Sequence, residues 1–419
     1  MRKFESYHRV LESIMSLSLL NLLNMVLPLI TLPYLIRVVG IANYGKYSIV
    51  YVMIQYVILI ASYGFNFSAT RLIAMNREDR NEIETIFNSV LLCKILLTVF
   101  PSILFLVFSW LVYDVDYVIM LALGLGMAIG DIFNPVWLYQ GMEKMRYMTI
   151  VNFISKLFFT VLIFILIRKK SDYLFITLYN SAGYLLAGAI SLYIACHEFH
   201  LSLKFPNKES VIFQFKDGLY IFLSTVFMNL YRNSNTFILG LFVNESFVGM
   251  YAGAEKIVKA VQSLADPISN AFFPHLAESF KHHTLQANIL QLFKLTKILF
   301  LFLLVLGSLC FFFAPLLNRM LLDANEEGSI LLIKLMSPVI IVGGLNYVLG
   351  IVGLINLGEK RKFLQTVFVS GILSVTFLLC TVRYWGASSA ALSMVLAEIT
   401  IFVCCLYYLR KLYGCSYPC

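Results

Sequence analysis

The chain has 419 residues, of which 60% are hydrophobic and 13% charged, with a net charge of +9. An ordinary soluble domain carries about 45–50% apolar and about 25% charged residues. That contrast, with 35 Phe, 24 Tyr and a mean hydropathy of +0.83, excludes a disordered chain, a disulfide scaffold and a soluble enzyme. The composition is that of a polytopic membrane protein.

Apolar runs between charged or turn-rich segments predict twelve spans, near 12–35, 45–66, 88–112, 117–140, 147–167, 173–195, 217–242, 247–275, 295–317, 329–356, 363–382 and 386–409. The first span follows Met1-Arg2-Lys3 without a small-residue cleavage site and reads as a retained helix. No predicted loop exceeds about 20 residues, which leaves no room for a soluble catalytic domain. Placing the N-terminus in the cytoplasm puts 19 Lys and Arg residues on the inside and 7 on the outside. Basic residues are retained on the cytoplasmic side, so both termini are expected there. The run Arg168-Lys169-Lys170 is the one outside loop against that trend.

The chain repeats itself. Residues 39–47 resemble 243–251 at an offset of 204, and residues 141–147 echo 358–363 at an offset near 217. Each pair falls six spans apart. The expected architecture is therefore all-α, with two six-helix lobes at 1–205 and 206–419 related by an axis along the membrane normal.

Polar residues inside spans carry the functional information, because charge in hydrocarbon is costly. In span eight, Ala252, Glu255, Lys256, Lys259, Gln262, Ser263, Asp266 and Asn270 recur at helical steps, while Ile257, Val258, Val261 and Leu264 lie opposite. Such a stripe lines water or another polar surface, or else Glu255 and Lys259 satisfy each other at i,i+4. Span seven holds Asn229, Arg232, Asn233, Ser234, Asn235 and Thr236. Arg232 has the fork geometry for phosphate oxygens, or pairs with Asp131, Asp266 or a backbone carbonyl. Lys156 lies too deep in span five to reach the interface easily, whereas Lys94 and Lys334 are placed to snorkel. Asp131 in span four either titrates or neutralises a nearby cation, and Glu398 in span twelve presents the same choice. Pro28, Pro135 and Pro267 are expected to bend their spans and free carbonyls.

Other chemistries fail on spacing. Gly40–Tyr47 nearly fits a phosphate-binding loop, but Tyr47 stands where a Mg-binding Ser or Thr belongs, so no nucleotide is expected. The eight cysteines lack metal or disulfide spacing, and neither His197-Glu198-Phe199-His200 nor His282-His283 has ligand partners, so no metal or cofactor is expected. The basic excess is the inside-positive signature rather than a nucleic-acid surface.

The segments Leu27–Gly40 with Tyr44-Gly45, Tyr63–Arg71, Pro135–Gly141 with Glu143-Lys144, and Tyr251–Ile257 resemble the Wzx-type O-antigen flippases. That resemblance implies a member of the multidrug/oligosaccharidyl-lipid/polysaccharide (MOP) exporter superfamily, with two lobes around a central cavity and alternating access. It implies an undecaprenyl-pyrophosphate-linked glycan as cargo, moved between leaflets of the bacterial inner membrane. Membrane lipid is a second partner, and the glycan polymerase and chain-length machinery are candidate further ones. On this reading Arg232, Lys256, Lys259 and Lys156 are the candidate head-group contacts, and Asp131, Glu255 and Asp266 the candidates for ion pairing or proton coupling. The competing expectations are a cation-coupled small-molecule antiporter of the same fold, a lipid II flippase and a membrane polymerase or ligase.

Overall fold

A computed structural model describes residues 26–265, 284–322 and 327–414, without the side chains of Tyr220, Ser224 and residues 227–233. Its regular elements are helical throughout. In chain order they are α1 (Val26–Val39), α2 (Ile41–Ser62), α3 (Phe65–Met75), α4 (Arg80–Val112), α5 (Val115–Gly124), α6 (Gly126–Ile132), α7 (Val136–Gly141), α8 (Met145–Leu166) and α9 (Ile176–Glu198). They continue with α10 (Lys208–Phe242), α11 (Glu245–Gln262), α12 (Leu285–Phe312), α13 (Ala314–Leu321), α14 (Glu327–Asn346), a π-helical stretch Tyr347–Ile355, α15 (Lys360–Trp385) and α16 (Ala387–Gly414).

Nine helical stretches among the described residues are long and apolar enough to cross a membrane. They match nine of the expected spans. The first expected span is described only from Val26. The seventh is α10, helical as expected, and α11 covers the eighth as far as Gln262, residues 266–275 of that span lying outside the described residues; both fall outside the apolar set, and α11 carries Glu245, Glu255, Lys256 and Lys259 in 18 residues.

The chain divides into two compact units, Met1–Val226 and Phe227–Cys419. In the first, α9 packs against α6 and α8, α2 against α4 and α5, and α3 against α7. In the second, α14 is the central helix, touching α11, α12 and α16, while α15 packs on α16. The outer faces stay apolar: Leu96, Val99, Phe100, Ile103 and Leu104 of α4 are all exposed. In water such a face would drive aggregation, and in a bilayer it meets acyl chains.

Local chemistry sets the helix boundaries. Asp79 caps α4, its Oδ1 accepting from the N–H of Asn81 at 3.0 Å and of Glu82 at 3.1 Å. Asn244 caps α11 through the Ser246 N–H at 3.0 Å, and Thr284 caps α12 through the Ala287 N–H at 3.4 Å. The second expected span is broken at Tyr63 and Gly64, with φ of 42° and 77°, after which the chain resumes as α3 and runs on to Met75. Span four is three short helices. The break expected at Pro135 separates α6 from α7, while Pro28 lies near the described start of α1, which runs on unbroken to Val39; Pro101 lies within α4 and Pro338 within α14, and Pro267 lies outside the described residues.

Both sequence echoes reappear as backbone geometry. Helices α2 and α11 begin at Ile41 and Glu245, which preserves the offset of 204. After α7, the N–H groups of Met142, Glu143 and Lys144 donate to Leu138, Gln140 and Tyr139 at 2.9, 3.1 and 2.8 Å. After the π stretch, those of Leu357, Gly358 and Glu359 donate to Gly353, Ile355 and Leu354 at 3.0, 3.1 and 2.8 Å. These are the same helix-ending motif, with a left-handed residue at Glu143 (φ 57°) and at Gly358 (φ 86°). The structural register of this echo is therefore 143 with 358, an offset of 215 rather than 217. Gly358→Ala is expected to cost about 1–2 kcal/mol, because only glycine takes this conformation without a Cβ clash. Glu143→Gly should gain less than that, since it also removes the Arg77–Glu143 ion pair at 2.8 Å. Thermal unfolding of the purified variants checks the opposite signs.

Candidate functional site

The charged stripe sits on α11, in the second unit. One side of that helix buries Val248, Tyr251, Ala254, Ile257 and Val258. Across from it, Glu255, Lys256, Lys259 and Gln262 keep partial or full exposure. Lys259 Nζ lies 2.5 Å from Glu255 Oε1, with the lysine side chain 45% exposed and the glutamate 14%. The i,i+4 pair expected as an alternative is thus formed. It leaves the ammonium in reach of a ligand, because a half-exposed lysine has donors to spare. Lys256 is half-buried beside it.

The polar run of α10 divides. Ser234, Asn235 and Thr236 are buried inside the second unit. Asn235 Nδ2 donates to the Tyr251 hydroxyl at 3.1 Å and to the Ala390 carbonyl at 3.3 Å, while Ser393 donates to its Oδ1 at 3.4 Å. These contacts lock α10, α11 and α16 together, so Asn235 serves packing. The side chains of Asn229, Arg232 and Asn233 lie outside the described residues, as do Asp266 and Asn270.

In the first unit the sequence expectation changes at Lys94. It was placed to snorkel, yet its side chain is only 4% exposed and its Nζ lies 2.9 Å from Asp131 Oδ2. The same ammonium donates to the Asp131 carbonyl at 2.5 Å. Pro135 explains this second bond. It occupies the position whose N–H would serve the Asp131 carbonyl in a continuous helix, and proline has none. The Asn134 N–H reaches that carbonyl only at 3.3 Å. Lys94 therefore repairs a proline break and neutralises a carboxylate with one ammonium. Lys156 is half-buried on α8, next to Ser155, which donates to the Gly183 carbonyl of α9 at 2.6 Å.

The same register in the first unit carries different chemistry. At the offset of 204, the positions of Tyr251, Glu255 and Lys259 correspond to Tyr47, Tyr51 and Gln55 on α2. Tyr47 is buried and its hydroxyl accepts from Asn180 Nδ2 at 3.2 Å. The charge-bearing turn is thus confined to the second copy of the repeat. A sequence reading that laid the two copies side by side could have found this asymmetry.

The loops sort into two sets. Arg71–Asp217, Arg77–Glu143, Lys144–Glu198 and Lys204–Glu84 join the segments 71–84, 143–144 and 198–217 of the first unit. Lys46 pairs with Asp116 at 3.3 Å and lies over the rings of Tyr117 and Tyr173, which joins 46, 116–117 and 173. These are the groups that alternating spans require at opposite membrane faces.

Helical elements of this length and apolarity make the chain a multi-pass membrane protein. Its fold is that of MOP superfamily transporters. It matches a multidrug resistance MATE family transporter in an inward-facing conformation with a TM-score of 0.70 at 16% identity, covering 93% of this chain and 99% of that one. It matches the lipid II flippase MurJ, inward closed, with a TM-score of 0.65 at 11% identity, covering 97% and 88%. The chain belongs to the polysaccharide biosynthesis protein family, whose sequence profile matches residues 10–280. A protein of Escherichia coli K12 named "Putative O-antigen transporter" is 27% identical over 394 residues, covering 93% of this chain and 94% of its own length. A Shigella dysenteriae protein of the same name is 26% identical over 395 residues, covering 93% and 97%.

Proposed function

We propose that this protein is a flippase. It carries undecaprenyl-pyrophosphate-linked oligosaccharide, an O-antigen repeat unit, from the cytoplasmic to the periplasmic leaflet of the inner membrane. Alternating access moves the cargo and an ion gradient drives it. The family, and the name shared by relatives that span nearly the whole chain, support a glycan cargo. The charged face of α11 is the observation that carries the reading.

A pyrophosphate–sugar head group must leave water to cross the membrane, and it needs cations held where lipid would otherwise be. Lys256 and Lys259 supply two on one helical face. Arg232 and Lys156 are assigned to the same head group, Arg232 through bidentate contact with phosphate oxygens. Glu255 holds Lys259 until phosphate competes for it, so the ion pair rearranges on binding. Asp131 and Asp266 are assigned to ion pairing or proton coupling; for Asp131 the contact with Lys94 supports the first of these. Both termini face the cytoplasm in this reading, supported by 19 basic residues inside against 7 outside. The lobes at 1–205 and 206–419 are then the moving bodies.

The test is complementation of a gene deletion in the native host. Deletion should abolish the surface glycan and accumulate single repeat units on lipid at the cytoplasmic face. Lys256→Ala with Lys259→Ala should reduce restored glycan at least about tenfold, the loss of two charge-assisted contacts at about 1.5–3 kcal/mol each. Wild-type glycan from the double variant would sink the cationic-site mechanism. A normal glycan after deletion, with new sensitivity to drug cations, would make the protein an antiporter like its MATE structural neighbours.

A further inference from the structure

We infer that Arg168, Lys169 and Lys170 form a docking site for an isoprenoid pyrophosphate at the outer membrane face, where the cargo arrives once it has crossed. The sidedness and the cargo rest on the flippase reading. The loop lies at the membrane face that holds Lys46, Asp116 and Tyr173, which is the outer one when both termini are cytoplasmic. Basic residues are disfavoured on that side, and these three stand there in succession.

The simplest account of them is helix capping. Arg168 Nε donates to the Ile165 carbonyl at 2.9 Å, and a cation at a helix C-terminus is favourable. That task takes one residue. Helices α8 and α15 begin at Met145 and Lys360, so the offset of 215 continues into them. It sets Arg383, Tyr384 and Trp385 opposite Arg168, Lys169 and Lys170. The second copy thus keeps an arginine, in the last turn of α15, and follows it with two aromatic residues 84% and 55% exposed. Aromatic residues are the usual occupants of a membrane interface. Lysines in both of their places are what capping leaves unexplained.

The loop is held in shape by its own contacts. The Tyr34 hydroxyl donates to the Ile167 carbonyl at 2.6 Å, and Asp172 Oδ2 accepts from the N–H groups of Arg168 and Lys169 at 2.9 and 2.8 Å. Asp172 therefore takes up backbone donors, and the donors left for a ligand are side chains. All three side chains are exposed, and among the described residues none is in an ion pair. A Cβ built on Gly40 would lie 3.6 Å from Lys170 Cε, which sets that side chain beside the turn between α1 and α2. A backbone fixed in this way lowers the cost of ordering on binding.

What leads up to the loop makes the ligand a lipid. Phe153, Leu157, Val161 and Ile165 are exposed at steps of four along α8, an apolar stripe that ends just short of Arg168. A hydrocarbon chain lying on that stripe puts its head group at the cations. Charge favours a pyrophosphate: three successive cations match its multiple negative charge, whereas a phosphodiester carries a single one. Holding the pyrophosphate here lowers the free energy of the cargo on the outer side and opposes its return.

The experiment places the full-length protein in phosphatidylcholine nanodiscs with a polyprenyl pyrophosphate that carries a diazirine next to the pyrophosphate. After illumination, labelled peptides are mapped by mass spectrometry. Label within residues 165–175 is expected, displaced by unlabelled undecaprenyl pyrophosphate but not by equal amounts of phosphatidylglycerol or inorganic pyrophosphate. Lys169→Gln with Lys170→Gln should cut that label about tenfold, and Lys169→Arg with Lys170→Arg should keep it. Unfolding at the wild-type temperature shows that each variant is folded. No label in 165–175, or undiminished label in the folded glutamine variant, would overturn the site. Equal displacement by phosphatidylglycerol would make it an ordinary phospholipid contact, and displacement by inorganic pyrophosphate a site for free anions; either result overturns the assignment. Specific label in a protein whose deletion leaves the surface glycan normal would keep the site and remove the flippase reading. Restored glycan from a protein that takes no label would do the reverse.

Discussion

Asp131→Ala is expected to destabilise the protein by about 3–5 kcal/mol, the range for breaking a buried ion pair. The reason is what it leaves behind. Lys94, 4% exposed, would be left buried without its carboxylate partner, whereas the Asp131 side chain is 24% exposed. Lys94→Met combined with Asp131→Ala should recover most of the loss, because it removes both charges rather than one. Asp131→Asn should fall between, because its amide oxygen still accepts from the Lys94 ammonium while the negative charge is gone. Denaturation of the wild type, Asp131→Ala, Lys94→Met and the double variant in one detergent gives the coupling as a double-mutant cycle. A single Asp131→Ala loss below about 1 kcal/mol would show that the pair is solvated.

Gly130→Ala should be nearly as damaging, and for a reason with no charge in it. A Cβ on Gly130 would lie 2.3 Å from both the carbonyl carbon and oxygen of Tyr184, and one on Gly188 would lie 2.6 Å from the Gly130 carbonyl oxygen. The obstacles are backbone atoms of helices in van der Waals contact, which cannot rotate away. Small residues at such a crossing are how membrane helices approach closely. An extra methyl there forces α6 and α9 apart, at about 3 kcal/mol, the upper part of the range for overpacking. Gly414→Ala, which meets nothing within 4 Å, is the control and should be neutral to slightly stabilising. Equal stability of Gly130→Ala and Gly414→Ala would mean that the two helices are not held at this distance.

Much of the fold was legible because the bilayer is a severe solvent. A span must be long, apolar and internally hydrogen-bonded, and each demand leaves a mark in the chain. Hence nine expected spans coincide with apolar helices, and the charge of α10 and α11 was visible as an interruption of that pattern. The first echo kept its register, since Gly40 and Asn244 each open a helix at the same offset. The second slipped by two, because glycine in one copy is matched by glutamate in the other and the backbone motif outlasts the residue that favours it.

Pairing was not legible. Lys94 and Asp131 are 37 residues apart. From sequence each had several possible neighbours, and position near a span end argued for snorkelling. Asn346 donates to Glu398 Oε2 at 2.6 Å from 52 residues away, whereas Glu398 by itself offered only the choice between titrating and neutralising a cation. Glu255 and Lys259 could be paired in advance because a helix places i and i+4 together. The amino-acid sequence by itself determined the solvent, the helices, the internal repeat and which face of α11 carries charge, all of which follow from composition and local period. The tertiary structure alone decided which charges neutralise each other and which glycines let backbones touch. Those depend on distances between segments remote in the chain, and no local rule constrains them.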